Sequence, residues 1–190
     1  MGAIVVAVLG VGAFAMWGNS SSSGAAGPTA AANKTAKADE PTAQGIEAAR
    51  VAAAFGPHKQ ATLPPIPFQG YAPPRSPEVV TAAYVFAAEH PEVASYVPCF
   101  CGCQAMGHTG NEDCFVSSRA ANGDVIAWEP HGVECAVCID VATRSRQLTA
   151  SGASVTATRA AIEKEFAATS PVMTPTPKPP AAPAAATPSN

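Results

Sequence analysis

All six cysteines of this chain lie between positions 99 and 138. Three of them, Cys99, Cys101 and Cys103, alternate with other residues. In an extended backbone this spacing places the three thiols on one side, with successive cysteine Cα atoms roughly 6.5–7 Å apart. That separation is at or beyond the limit for a disulfide between neighbours. The segment therefore favours thiolates that converge on a shared soft ion, or on several ions bridged by sulfur.

Further sulfur and imidazole donors follow along the chain. Cys135 and Cys138 are one helical turn apart and are predicted to face the same way. The candidate metal ligands are Cys99, Cys101, Cys103, Cys114, Cys135, Cys138, His108 and His131. Donors of this kind select Cu(I), Zn²⁺ or iron–sulfur clusters. Cu(I) is favoured because it accepts low-coordinate sulfur, and Zn²⁺ is second because only one pair has the C-x₂-C spacing that zinc sites use.

Two other functions are also compatible with the sequence. An even number of cysteines in a short exported domain is typical of a disulfide framework. In that case the three alternating cysteines would each pair with one of the later three, giving a stapled structural or interaction domain. The third reading is thiol–disulfide redox chemistry at Cys135 and Cys138, which requires a lowered thiol pKa near a helix N-terminus. No carboxylate pair, Ser/His/Asp set or phosphate loop stands out, so hydrolase or transferase chemistry has no support. The sequence favours a non-enzymatic role over an enzymatic one, and no catalytic residue is assigned.

Composition limits how much of the chain can fold around an aliphatic core. Leu occurs only three times in 190 residues, which excludes one large globule with an aliphatic centre. With 11 basic and 14 acidic residues, the chain also lacks the positive footprint of a nucleic-acid-binding protein. We therefore expect a small ordered unit within a partly disordered chain, and no nucleic-acid partner.

The chain divides into four pieces by composition. Residues 1–17 are apolar and predict a signal peptide or membrane anchor. Residues 18–76 form an Ala/Pro/Ser-rich tether with a short helix near 45–55, residues 77–168 form the Cys-rich domain, and residues 171–190 are a disordered Pro/Ala tail. The expected location is extracytoplasmic, either secreted or anchored to the cell membrane by the N-terminal segment. The expected partners are that membrane and a metal-transport or redox protein.

Local signals within residues 77–168 predict a mainly α-helical fold. Ser76, Pro77 and Glu78 form a helix start, and the helix ends near His90. Asn122 and Gly123 predict a hairpin turn between residues 116 and 128. Two more helices are predicted over 134–148 and 154–168. The expected fold is a small Cys-rich helical domain with a short hairpin or irregular Cys loop, flanked by disordered Ala/Pro-rich segments.

Several motifs together resemble a known family. They are PCFCGC at 98–103, GH at 107–108, DCF at 113–115 and HGVECAVCIDVA at 131–142. They resemble bacterial extracytoplasmic proteins, often lipoproteins, named for a Pro-Cys-Tyr-Cys-Gly-Cys motif, with Phe100 in place of the tyrosine. The resemblance spans roughly residues 77–168 and implies a small, mostly helical, secreted or membrane-attached domain for which metal handling is a common suggestion. The first cysteine is Cys99, so a peptide anchor or cleaved signal is expected here in place of a lipid anchor.

Overall fold

The computed structural model describes residues 40–70 and 72–181. The apolar segment 1–17, the whole of the tether before residue 40 and the end of the tail lie outside this range. The anchor prediction is therefore not addressed by the structure. Within the described ranges, no helix is both long enough and apolar enough to cross a bilayer.

Helices dominate the described part of the chain, as the sequence predicts. They are α1 (Ala43–Ala54), α2 (Pro77–Glu89), α3 (Pro91–Ala94), α4 (His131–Glu134), α5 (Ala136–Ala150) and α6 (Val155–Phe166). Helix α2 has proline in its first turn and buries the face predicted from its spacing, including Val80, Ala83, Tyr84 and Ala87. The predicted mainly α-helical fold is confirmed.

An antiparallel hairpin lies between the cysteine-rich loop and α4. Strand β1 (Val116–Arg119) pairs with β2 (Val125–Trp128), and these form the sheet found in the described residues. The turn contains Gly123 at φ +94°, a left-handed conformation that glycine adopts without strain. The hairpin prediction based on Asn122 and Gly123 is therefore confirmed.

The core combines a few aromatic and aliphatic side chains with cysteine. Tyr84 lies at its centre and meets Phe115 and Trp128 edge-on, with ring centroids 5.0 and 5.3 Å apart. Its hydroxyl donates to the backbone oxygen of Glu129 at 2.6 Å. Four cysteines, namely Cys99, Cys103, Cys114 and Cys138, are buried in the same cluster. Sulfur thus occupies core volume that leucine would fill in a larger domain.

Part of the predicted tether packs on this core. The side chain of Gln60 bonds to both backbone groups of Val125, at 2.7 and 3.0 Å, as a neighbouring strand would. The indole of Trp128 donates to the backbone oxygen of Pro64 at 2.8 Å. The Pro64 contact is possible because an extended Pro-rich segment leaves its backbone groups free to bond to another surface. The ordered unit therefore begins earlier than residue 77.

The start of the tail also differs from the disorder predicted for residues 171–190. Residues 170–177, here called the C-terminal strap, lie along the Cys99 backbone, and Thr174 and Thr176 are buried. Arg159 on α6 donates hydrogen bonds to the backbone oxygens of Thr176 and Pro177. Composition alone suggested disorder because the tail is rich in proline and alanine and has few large apolar side chains, but hydrogen bonds to the Cys99 backbone hold the strap in place.

A buried ion pair joins the hairpin to the segment before Cys114. The guanidinium of Arg119 lies 2.9 Å from the carboxylate of Glu112, and both side chains are 8% exposed. Arg119 also donates to the backbone oxygens of Ala87, Ala88 and Gly123 at 2.8–3.1 Å. One side chain thus links α2, the hairpin turn and the 3₁₀ turn that ends at Cys114.

Candidate metal centre

The alternating cysteines do not lie on a continuous extended strand. Gly102 has φ +87°, and a short 3₁₀ helix, Cys103–Met106, begins directly after it. This turn leaves the sulfurs of Cys99 and Cys101 3.7 Å apart and directs Cys103 towards Cys114. The prediction of three thiols on one side of a strand is therefore corrected: they converge, but through a turn at glycine.

Four donors form what we call the outer set: Cys101, His131, Cys135 and Cys138. Their ligand atoms lie within 4.8 Å of one another, and all except Cys138 are partly exposed. The sulfur of Cys101 is 3.4 Å from that of Cys138 and 3.7 Å from Nε2 of His131. Two sulfur ligands of one tetrahedral ion lie about 3.8 Å apart when each metal–sulfur bond is about 2.3 Å. The outer set could hold a four-coordinate ion after small adjustments.

Three buried sulfurs form the inner set: Cys99, Cys103 and Cys114. Their sulfur atoms also lie within 4.8 Å of one another. The sulfurs of Cys103 and Cys114 are 3.7 Å apart, and Nδ1 of His108 is 3.6 Å from the sulfur of Cys114. The inner set is therefore a three-sulfur site with an imidazole beside it.

The two sets adjoin. The sulfur of Cys99 is 3.2 Å from that of Cys138, which is the shortest of these contacts between the sets. All six cysteines are free, and this distance is far above the roughly 2.05 Å of a disulfide bond. The predicted ligands are thus brought into one cluster of six sulfurs and two imidazoles, and no disulfide framework is present.

Local backbone features explain how the second half of the cluster is placed. Cys135 is the N-cap of α5, and its sulfur accepts a hydrogen bond from the amide of Cys138 at 3.4 Å. Helix α4, which carries His131, approaches the backbone closely at Gly132. A Cβ atom there would lie 2.5 Å from the backbone oxygen of Cys114, a distance that atoms cannot adopt without movement. The absence of a side chain at Gly132 thus allows His131 to reach the cysteines.

Hydrogen bonding among the thiols changes their acidity in opposite directions. The pKa of Cys99 is lowered to about 4, chiefly by its hydrogen bond with Cys101, and the pKa of Cys101 is itself lowered, chiefly by Cys103. The pKa of Cys138 and that of Cys114 are raised, with the hydrogen bond to Cys101 as the largest cause in each. Some sulfurs are therefore thiolates that accept hydrogen bonds. Neighbouring sulfurs remain protonated thiols that donate those bonds.

These pKa shifts test the hypothesis of thiol–disulfide redox chemistry at the C-x₂-C pair, Cys135 and Cys138. Redox chemistry of this kind requires a lowered pKa at Cys135, near the start of α5. The pKa of Cys135 is instead raised to about 12, mainly because of its hydrogen bond with Cys101. The expected reactive thiolate at Cys135 is not supported.

The imidazole beside the inner set is affected in the same direction. Hydrogen bonding with Cys103 raises the pKa of His108, against the opposing effect of burial.

The C-terminal strap holds the backbone of the first cysteine, which the sequence analysis missed. The amide of Cys99 donates to Oγ1 of Thr174 at 2.8 Å, and the amide of Thr174 donates to the backbone oxygen of Cys99 at 2.9 Å. Ser170 donates to the backbone oxygen of Phe100 at 2.9 Å. A signal was available, because threonines at alternate positions between prolines predict an extended segment with both hydroxyls on one side.

We expect Thr174→Val to lower the free energy of unfolding by about 1–3 kcal/mol, because the buried amide of Cys99 would lose its acceptor. Urea unfolding of the reduced, metal-free protein measures this change. The matched control is Thr169→Val in the exposed residues before the strap, for which we expect a change within about 0.5 kcal/mol. Equal effects of the two substitutions would show that the strap contact does not stabilise the loop.

Comparison with known proteins supports the resemblance noted in the sequence. The model of a family described as proteins of unknown function with a PCYCGC motif matches residues 70–179. This region contains all six cysteines, both cluster histidines and the C-terminal strap. Neither the search of curated proteins nor that of solved structures found a match. Since the matched region is more than half of the chain, the chain belongs to the PCYCGC-motif family of proteins of unknown function.

Proposed function

We propose that this domain binds soft metal ions as cargo and that Cu(I) is the preferred ion. The observation that carries the proposal is the cluster of six free sulfurs. Its close sulfur contacts are 3.2–3.7 Å, and the ligand atoms within each set lie within 4.8 Å of one another. Thiolate ligands select Cu(I), Zn²⁺ and iron–sulfur clusters over hard cations such as Mg²⁺ or Ca²⁺. The array contains no carboxylate in either of its two ligand sets.

Cu(I) accounts for the contact between the two sets. It accepts two or three sulfur ligands and forms clusters in which one thiolate bridges two ions. The closest sulfur pair, Cys99 and Cys138, joins the inner set to the outer set and is placed for such bridging. Storage, delivery or sensing of copper outside the cytoplasm is the role that we propose.

Zn²⁺ is the second candidate, and one observation favours it. The outer set is a Cys₃His group in which Cys135 and Cys138 have the spacing common in structural zinc sites. Zinc would occupy this set as a closed tetrahedral site and would leave the inner sulfurs without a bound metal. The two candidates therefore differ in which sulfurs become protected.

Parallel titrations of the reduced, metal-free protein with Cu(I) and Zn²⁺ under anaerobic conditions test the proposal. Native mass spectrometry counts bound ions, and a thiol-reactive dye counts the cysteines that remain accessible. Copper binding that protects all six thiols supports the proposal. Protection limited to the outer set by zinc, with no tight copper binding, would favour zinc. Purified protein that binds neither ion would overturn metal binding altogether.

We also propose that the domain works outside the cytoplasm, attached to the membrane through residues 1–17 or released after cleavage of that segment. The apolar character of the segment supports this location. A metal-transport or redox protein is the proposed partner. Fractionation of cells that express the full chain tests the location, and recovery of the protein only in the cytosol would contradict it.

Metal affinity is expected to rise with pH. The thiols of Cys114, Cys135 and Cys138 have raised pKa values, so they hold protons at neutral pH and must lose them to bind an ion. Metal binding therefore releases protons, and acidification favours the metal-free state. Competition with a chelator of known affinity, repeated between about pH 6 and 8, measures this dependence. An affinity that does not change with pH after correction for the chelator would contradict the expectation.

A further inference from the structure

The inner and outer sets differ in their access to solvent. Cys99, Cys103 and Cys114 are 0–2% exposed, whereas Cys101, His131 and Cys135 are partly exposed. The outer ligands come from a loop and from the starts of two helices, while the inner sulfurs lie within the core cluster. An incoming ligand can therefore reach an ion in the outer set directly, but can reach the inner set only after the domain opens.

The outer set uses only part of the cluster. It contains four of the eight candidate donors, and the three inner sulfurs remain outside it. Nδ1 of His108 lies 3.6 Å from the sulfur of Cys114 in the inner set. A single ion in the outer set would therefore leave a second group of soft donors without a metal.

The contact between the sets provides a bridge for a second ion. Cys138 belongs to the outer set and lies 3.2 Å from Cys99 of the inner set, and Cys101 lies 3.7 Å from the same sulfur. A sulfur at this junction can bind an ion on each side. The two sets therefore form adjoining halves of one centre.

We propose that the centre holds two soft metal ions, an inner ion that is retained and an outer ion that is exchanged with a partner. This inference rests on the proposed metal-binding function. The partner would present a thiol or thioether to the exposed side of the outer set. In the exchange with a thiol, a bond forms between the ion and the incoming sulfur and the bond to Cys135 breaks. The proton released by the incoming thiol passes to the Cys135 thiolate, and the metal keeps its oxidation state.

The first test measures release from the loaded full-length protein. The protein is saturated with Cu(I), its ions are counted by native mass spectrometry, and their loss to excess bathocuproine disulfonate is followed by absorbance. We expect two ions and two phases whose rates differ by at least about tenfold, because the chelator can reach the buried inner set only after the domain opens locally. Saturation at one ion, or loss of two ions in a single phase, would overturn the inference. Absence of copper binding would instead overturn the proposed function.

The second test assigns the phases. Cys135→Ser removes one outer ligand and retains a side chain that is well suited to the N-cap position of α5. We expect it to lose the fast phase and keep the slow one. The control is Ser154→Ala, which removes the N-cap of α6 without altering the cluster, and it should keep both phases. Loss of the slow phase in Cys135→Ser, with the fast phase intact, would contradict the assignment of the inner ion.

Discussion

Replacing Arg119 with methionine is expected to lower the free energy of unfolding by about 3–5 kcal/mol, the usual cost of breaking a buried ion pair by removal of one partner. Glu112 is buried, so its carboxylate would be left without a counter-charge. Burial already raises the pKa of this carboxyl against the opposing effect of Arg119. Three backbone oxygens would also lose a donor. Chemical unfolding of the reduced, metal-free protein measures the change.

Two further variants separate this effect from a general loss of arginine. Arg144→Met breaks an exposed pair with Glu165, in which both side chains are about 40% exposed, and should change stability by at most about 1 kcal/mol. The double variant Arg119→Met with Glu112→Met removes both buried charges, and we expect it to recover much of the lost stability. A single Arg119→Met variant as stable as Arg144→Met would contradict the expectation.

Replacing Cys138 with serine is expected to weaken metal binding by more than about 100-fold. Residues that only orient metal ligands contribute about 10- to 100-fold to affinity, and a ligand contributes more. Cys138 belongs to the outer set and contacts Cys99 of the inner set, so its loss affects both halves of the centre. A hydroxyl is a poor ligand for Cu(I), because soft ions prefer sulfur. Competition with a Cu(I) chelator measures the affinity.

The matched control for this substitution lies one turn further along α5. Ala142→Ser places a hydroxyl at a fully buried position of the same helix but leaves every sulfur in place. We expect it to reduce stability without a comparable loss of affinity, since buried hydroxyls without partners are unfavourable. Equal losses of affinity in the two variants would indicate that the effect of Cys138→Ser is structural.

Features that depend on neighbours in sequence could be predicted well. Pro77 in the first turn of α2 and Gly123 in the hairpin turn act through their own backbone angles, so the sequence indicates them directly. The candidate ligands could also be named, since cysteine and histidine are the residues that bind soft ions. Their division into an inner and an outer set could not, because it depends on the turn at Gly102 and on the approach of α4 at Gly132.

Features that depend on distant partners were missed for a different reason. Thr174 bonds to Cys99, which lies 75 residues earlier in the chain, and Arg119 bonds to Ala87, which lies 32 residues earlier. A polar side chain gives little sign in sequence of which distant backbone group it will satisfy. The same difficulty applies to the tether, where composition predicts an extended segment but not the surface on which it packs.

The sequence by itself determined the helical class of this domain, its hairpin and the soft-ligand character of its centre, because each follows from local backbone preference or from the chemistry of single side chains. Only the tertiary structure decided which sulfurs adjoin, which are exposed, and that a strap from the C-terminal tail supports the first cysteine. Those properties depend on contacts between residues far apart in the chain. Such contacts form, and contribute to stability, only in the folded protein.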